Sequence, residues 1–138
     1  MSIDTLWHAQ LVVSLLLTGL IFTIQIVHYP TFKFIDSSKF QAFHHFHSSR
    51  ISTIVAPLMV LELILSGWVF LVLQNTFSLA GLALVALIWS ITFFVSVPIH
   101  NKLSGGFQKI LIQKLILTNW LRTLLWTIKF LMMSTQLP

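Results

Sequence analysis

Histidines are the residues of this chain best suited to chemistry. Three of its six histidines fall within four positions of the stretch FHHFHSSR, and His28 and His100 each follow a long apolar segment. Neutral imidazole binds transition metals and haem iron, and it relays protons near neutral pH. Because His44 and His47 are three residues apart, they would share one side of a helix, whereas His45 would point elsewhere.

Two charged residues lie deep within apolar segments and need partners there. Glu62 and Arg122 each stand near the middle of such a segment, where a lone charge costs about 2.5–3.5 kcal/mol even on insertion scales. We predict that Glu62 and Arg122 face each other and that Asn119 completes their hydrogen bonds. Lys129 stands near the end of its segment, where a long side chain can snorkel to the interface.

Three interpretations of the histidines remain open. In the first, His28, His44 or His47, and His100 bind iron, copper, manganese or zinc, with Glu62 as an added ligand. In the second, His28 and His100 hold the iron of a haem b from opposite sides. In the third, the histidines are ordinary residues of a membrane interface, where an imidazole places its apolar body and polar tip favourably.

The composition indicates the elements that must position these residues. The chain is 57% hydrophobic and 8% charged, whereas about a quarter of a soluble domain is charged. The absence of cysteine excludes disulfides and thiolate sites. The net charge of +5 comes from dispersed cations beside apolar segments, so we expect no nucleic-acid partner. The predicted partners are the lipid bilayer and a lipophilic small molecule.

The predicted fold is an all-α integral membrane protein, an antiparallel four-transmembrane-helix bundle forming a single domain over 1–138. About 20 apolar residues are needed for each span, and polar clusters separate four such segments. Their approximate bounds are 6–29, 51–73, 79–98 and 110–133. The first lacks the basic start and cleavage site of a signal peptide, so we expect it to be retained.

A segment at about 36–50 is too polar for the bilayer core, and we predict an interfacial helical segment there, which either lies at the interface or leads straight into the second span. Polar residues at near-helical spacing predict an inward face on two of the spans: Gln10, Ser14, Thr18, Gln25 and His28 on the first, and Thr92, Ser96 and His100 on the third. Most basic residues fall in the first and third connections. The histidine cluster is therefore expected at the cytoplasmic end, with both termini outside.

Three motifs carry a resemblance to a known group of proteins: VHYPTF at 27–32, FHHFHSSRIS at 43–52 and TNWLRTLLW at 118–126. They resemble small four-span bacterial membrane proteins, some of which are similar to anthrone oxygenases. Those enzymes insert oxygen from O₂ into flat aromatic intermediates. The resemblance implies oxidative chemistry on a hydrophobic substrate in a bacterial inner membrane.

The leading functional hypothesis is an oxidoreductase or oxygenase-like enzyme acting on a lipophilic small molecule. Its predicted catalytic residues are His28, Glu62, Asn119 and Arg122, with a histidine as base and Arg122 with Asn119 stabilising an enolate-like oxyanion. One alternative is a small proton-coupled carrier, which would need a homo-oligomer because four spans enclose little aqueous space. Another is a non-enzymatic accessory subunit whose buried polar groups determine helix register.

Overall fold

Four long helices make up most of the chain. A computed structural model describes residues 2–135, and no β-strand occurs within them. The helices are α1 (Ile3–Phe34), α2 (Ser37–Leu73), α3 (Thr76–Leu103) and α4 (Lys109–Ser134). The predicted all-α class is confirmed.

Three of the four helices, α1, α2 and α3, are long and apolar enough to cross a membrane. Helix α4 is not among them, since basic residues that include Arg122 and Lys129 lower its hydropathy. Large apolar side chains on the outside of the molecule remain exposed, among them Phe94 and Leu117. A surface of this kind is suited to lipid and not to water.

Side chains at the helix ends explain where α2 and α3 begin. The Asp36 carboxylate accepts hydrogen bonds from the amide and the hydroxyl of Ser38, which caps α2. These bonds hold the pKa of Asp36 below its usual value. Helix α2 ends at Gln74, whose φ of 44° is left-handed. Asn75 and Ser78 then form a reciprocal capping box that starts α3.

Helix α2 runs without interruption through the segment predicted to be interfacial. The range 36–50 is therefore not a separate element, because all but its first residue form the beginning of this 37-residue helix. At 1.5 Å per residue the helix is about 55 Å long, whereas the hydrocarbon core of a bilayer is about 30 Å thick. Its first third can extend beyond the hydrocarbon without leaving the helix.

The core consists of two apolar clusters. Helix α1 packs against α2 and α4, and α3 packs against the same two helices. One cluster includes Leu17, Ile88 and Trp126. The other includes Phe32 and Leu103 and lies where the histidines gather. The polar side chains described below lie between these helices.

Candidate functional site

Two π-helical segments shape the region around the histidines. They occupy Ile24–His28 in α1 and Thr92–Ser96 in α3, and each ends two residues before a proline, Pro30 or Pro98. A proline ring clashes with the carbonyl group four residues earlier and lacks an N–H. A wider π turn relieves this conflict, and such turns are frequent at functional sites.

A chain of hydrogen bonds joins three helices just after these segments. The Tyr29 hydroxyl lies 3.0 Å from His100 Nε2, and His100 Nδ1 lies 3.0 Å from His44 Nε2. The His44 ring stacks on Phe40, with 5.8 Å between ring centroids. We refer to Tyr29, His100 and His44 as the Tyr–His–His chain. It connects α1, α3 and α2 through groups that can pass a proton.

The other two histidines of the cluster form a separate pair. His28 Nε2 lies 2.6 Å from His47 Nδ1. His47 is 4% exposed, and its Nε2 has no hydrogen-bond partner within residues 2–135. His45 is exposed, whereas His44 and His47 are both buried. The prediction that His44 and His47 share a side and that His45 does not is confirmed.

The predicted metal site is not assembled. No group of three or more histidine, cysteine or acidic side chains in the described part of the chain is arranged to hold a metal ion. His28 pairs with His47, while His44 and His100 pair with each other, so the four imidazoles are divided into two hydrogen-bonded sets. The predicted haem ligands do not meet either, because His28 belongs to one set and His100 to the other.

Glu62 pairs with Lys129 and not with Arg122, so the predicted pairing is wrong. Lys129 Nζ lies 3.0 Å from Glu62 Oε1 and donates to Ser14 Oγ at 2.7 Å. The second carboxylate oxygen accepts a hydrogen bond from Trp126 Nε1 at 2.9 Å. The Lys129 and Glu62 side chains are 0% and 1% exposed, so Lys129 points inward and does not snorkel. Both carboxylate oxygens of Glu62 are thus occupied by donors from α1 and α4.

Arg122 is a buried cation without an acidic partner. Lys129–Glu62 is the only ion pair between side chains of the described residues. Asn119 Oδ1 accepts a hydrogen bond from Arg122 Nη1 at 3.3 Å, which confirms the predicted contact between these two residues. The guanidinium also lies 5.1 Å from the centre of the Trp126 ring. A buried charge with only neutral partners is costly, and an anion beside it would remove that cost.

A cleft between α2 and α3, which we call the α2/α3 cleft, reaches Arg122. Its volume is about 250 Å³, and Tyr29 and His100 also line it. Three buried donor atoms at this cleft have no hydrogen-bond partner in the described part of the chain: Trp89 Nε1, Ser96 Oγ and Arg122 Nε. Since buried polar groups are nearly always bonded, these three atoms indicate a polar ligand group. The remaining lining is largely apolar, so the rest of that ligand should be apolar too.

The structure divides the residues that the sequence selected. Arg122 and His100 line the α2/α3 cleft. Asn119 does not line it, but it accepts a hydrogen bond from Arg122. His28 and Glu62, two of the four predicted catalytic residues, do not line it. Tyr29 also lines the cleft, and it is not among the residues predicted from the sequence. The available signal was that Tyr29 is the chain's only tyrosine and directly precedes a proline.

Comparisons with known proteins do not assign the chain to a family. No protein-family model, no curated protein and no solved structure matches it. What the chain does must therefore be argued from the geometry of its own residues.

Proposed function

We propose that the chain is a single membrane domain of four antiparallel spans, with α4 as the fourth. The order of contacts along α1 supports this arrangement. Near its start, Gln10 donates to Ser66 of α2 at 2.7 Å. Near its end, His28 meets His47, which is much earlier in α2. The partners on α2 thus run in the opposite direction, as in an antiparallel pair.

The placement of charge on α4 supports a fourth span. Arg122 and Lys129 face the interior, where they are 5% and 0% exposed. The exposed side chains of the same stretch are apolar, at positions 117, 120, 121, 124, 128 and 131. A helix can cross a bilayer when its charges face the bundle and its outer surface is apolar.

The exposed cations support the orientation. Lys33, Lys39, Lys102 and Lys109 are exposed and lie at or beside the first and third connections. Basic residues accumulate on the cytoplasmic side of a membrane. In this proposal the histidine end faces the cytoplasm, both termini are outside, and the membrane is a bacterial inner membrane.

For the function, we propose an enzyme that binds a lipophilic small molecule in the α2/α3 cleft and removes a proton from it. The observation that carries this proposal is that Trp89, Ser96 and Arg122, which line a largely apolar cleft, each have a buried donor atom without a hydrogen-bond partner within residues 2–135. A substrate oxygen that becomes negative during the reaction would accept hydrogen bonds from Arg122 and Ser96. Donors held in place before the reaction stabilise such an oxyanion most effectively.

The Tyr–His–His chain can receive the proton. When His100 Nε2 accepts from the Tyr29 hydroxyl, its Nδ1 carries hydrogen and donates to His44 Nε2. The Tyr29 oxygen then takes the substrate proton while its own proton moves to His100. The Nδ1 proton of His100 can pass on to His44. Tyr29 is thus the group that meets the substrate, and His100 and His44 are the groups to which its proton can move.

The resemblance to small four-span membrane proteins, some of which are similar to anthrone oxygenases, supports an oxidative second step. An enolate-type carbanion can react directly with O₂. A methylene group next to the delocalised system then becomes a carbonyl, with one oxygen atom in the product and the other released as water. The cleft contributes by generating the anion and excluding water from it.

Oxygen consumption tests this function. Protein purified in mild detergent is mixed with anthrone, and O₂ uptake is followed together with the absorbance of the quinone product. We expect turnover by the wild type, a loss of about 10²-fold or more in Tyr29→Phe and Arg122→Gln, and no loss in Lys114→Gln. Lys114 provides the matched control because it is an exposed cation on the same helix as Arg122.

The same preparation shows whether the reaction needs a bound cofactor. An absorption spectrum and elemental analysis show whether activity follows a bound haem or metal. Equal rates in the wild type, in Tyr29→Phe and in a detergent blank would contradict the proposed enzyme.

A proton-coupled carrier is the second candidate, and the Tyr–His–His chain favours it. The Tyr–His–His chain leads from the α2/α3 cleft towards the polar end of α2. Vesicles containing the protein and an internal pH dye would distinguish the two functions. When a lipophilic acid is added, a carrier would acidify the vesicle interior faster than in protein-free vesicles, and His44→Ala would reduce that excess rate, whereas an enzyme would leave the rate equal to that of protein-free vesicles.

A further inference from the structure

A second apolar depression, which we call the α1/α2 groove, lies apart from the α2/α3 cleft. Its volume is about 200 Å³, and Phe43, His47, Arg50 and Ile54 line it along one face of α2. His28 of α1 closes the other side. The spacing of three and four residues explains why these side chains share a face. The proposed enzymatic site does not use this groove.

The groove contains an unpartnered polar group that is more than nine-tenths buried. His47 is 4% exposed, and its Nε2 has no partner within residues 2–135. Its other ring nitrogen is 2.6 Å from His28 Nε2. When His28 donates in this contact, His47 must carry its hydrogen on Nε2. His47 then has a donor available for a ligand atom that accepts hydrogen bonds.

A cation lies one helical turn further along the same face. Arg50 is exposed and forms no ion pair with any described side chain. Its guanidinium is 5.6 Å from the centre of the Phe46 ring. Arg50 and His47 therefore both line one groove, and neither has an anionic partner within residues 2–135. This combination suits a phosphate group, which accepts several charge-assisted hydrogen bonds.

The level of Arg50 in the proposed membrane indicates where that phosphate belongs. The apolar run of α2 over 51–73 begins directly after it, and at 1.5 Å per residue this run is about 35 Å long. That length matches the hydrocarbon core of about 30 Å. Arg50 thus stands at headgroup depth, while Ile51 and Ile54 extend into the acyl region. A free phosphate ion would gain nothing from these two isoleucines.

We propose that the α1/α2 groove is a binding site for one anionic phospholipid. The lipid phosphate lies between Arg50 and His47 Nε2–H, and one acyl chain follows Ile51 and Ile54 towards the membrane centre. Basic pockets between membrane helices commonly bind anionic headgroups in this way. The inference rests on the proposed membrane topology but not on the proposed enzymatic function.

Native mass spectrometry tests the site directly. Protein in mild detergent is mixed with equal amounts of phosphatidylglycerol and phosphatidylcholine. The bound lipid is then identified from the mass of the protein–lipid complex. We expect one phosphatidylglycerol bound in preference to phosphatidylcholine. Arg50→Gln should lower its affinity at least about tenfold, because charge-assisted hydrogen bonds are lost. Lys39→Gln should not, because Lys39 is an exposed cation of the same helix outside the groove.

A third variant tests the acyl region with the charge unchanged. Ile54 is 53% exposed, so Ile54→Trp fills the groove without straining the core, and it should also release the lipid. Equal binding of both lipids would overturn the proposal, as would equal losses in Arg50→Gln and Lys39→Gln. Displacement of the lipid by millimolar inorganic phosphate would overturn it in favour of a free anion. None of these outcomes depends on turnover of a substrate, so the enzymatic proposal is tested separately.

Discussion

Replacing Lys129 with methionine removes the cation that lies 3.0 Å from the Glu62 carboxylate. Both side chains are almost completely buried, so water cannot take the place of the lost partner. Removing one member of a buried ion pair costs about 3–5 kcal/mol, because the other charge remains uncompensated. Ser14 and Trp126 still donate to Glu62, so we expect the lower end of this range for Lys129→Met.

The double variant Glu62→Gln with Lys129→Met should be more stable than either single variant. It leaves no buried charge, and the glutamine oxygen can still accept the hydrogen bond from Trp126. Replacing a whole buried ion pair with uncharged groups of similar size is often close to neutral. We therefore expect a loss of about 1 kcal/mol for the double variant, compared with about 3 kcal/mol for each single variant.

Unfolding in detergent, followed by circular dichroism over a denaturant series, measures all four members of this cycle. The matched control is a second cycle that combines Glu62→Gln with Arg122→Met. Arg122 does not pair with Glu62 but shares Trp126 with it as a neighbour, so its cycle should show a smaller coupling than the Lys129 cycle. Additive losses in the Lys129 cycle would refute the buried pair, and a coupling in the Arg122 cycle larger than in the Lys129 cycle would restore the pairing predicted from depth.

Three further predictions concern the α2/α3 cleft and the histidines. Arg122→Met should leave the free energy of unfolding unchanged or raise it, because it removes a buried charge without an acidic partner, yet it should abolish anthrone turnover in the oxygen assay. Trp89→Phe should lower the free energy of unfolding by about 1 kcal/mol or less, because it removes part of the packing on Phe93 but no hydrogen bond, and a loss above about 2 kcal/mol would show a bond that the structure lacks. His44→Ala should lower the free energy of unfolding by about 2 kcal/mol, whereas exposed His45→Ala should change it by less than about 0.5 kcal/mol; equal effects would contradict the burial of His44.

The polar faces of the helices could be predicted because the physical rule behind them is simple. A polar side chain in an apolar environment needs an internal partner. Gln10, Ser14, Thr18 and Gln25 recur at helical spacing in α1, and all four are buried. Each forms a hydrogen bond to a neighbouring helix. Periodicity alone therefore identified the interior side of α1.

The arrangement of the histidines could not be predicted from spacing. Spacing correctly placed His44 and His47 on one side of α2. The partners of their ring nitrogens, however, depend on rotamers and on neighbours from other helices. The π-helical segments of α1 and α3 also shift the residues that follow them relative to a regular α-helix. As a result Tyr29 meets His100, and the expected metal site is replaced by hydrogen bonds between imidazoles.

The wrong partner for Glu62 has a single geometric cause. The predicted pairing of Glu62 with Arg122 assumes that the two apolar runs start at the same depth in the membrane. Position 51 of α2 would then be level with position 110 of α4. The Phe40 ring instead meets Phe107, 5.4 Å away, just before α4 begins. The start of α4 is thus level with a much earlier part of α2. This offset moves the residue opposite Glu62 seven positions along α4, about two turns, from Arg122 to Lys129. The same offset leaves Arg122 without a carboxylate partner within residues 2–135 and beside the α2/α3 cleft. The cleft therefore has a cation that is available to a ligand.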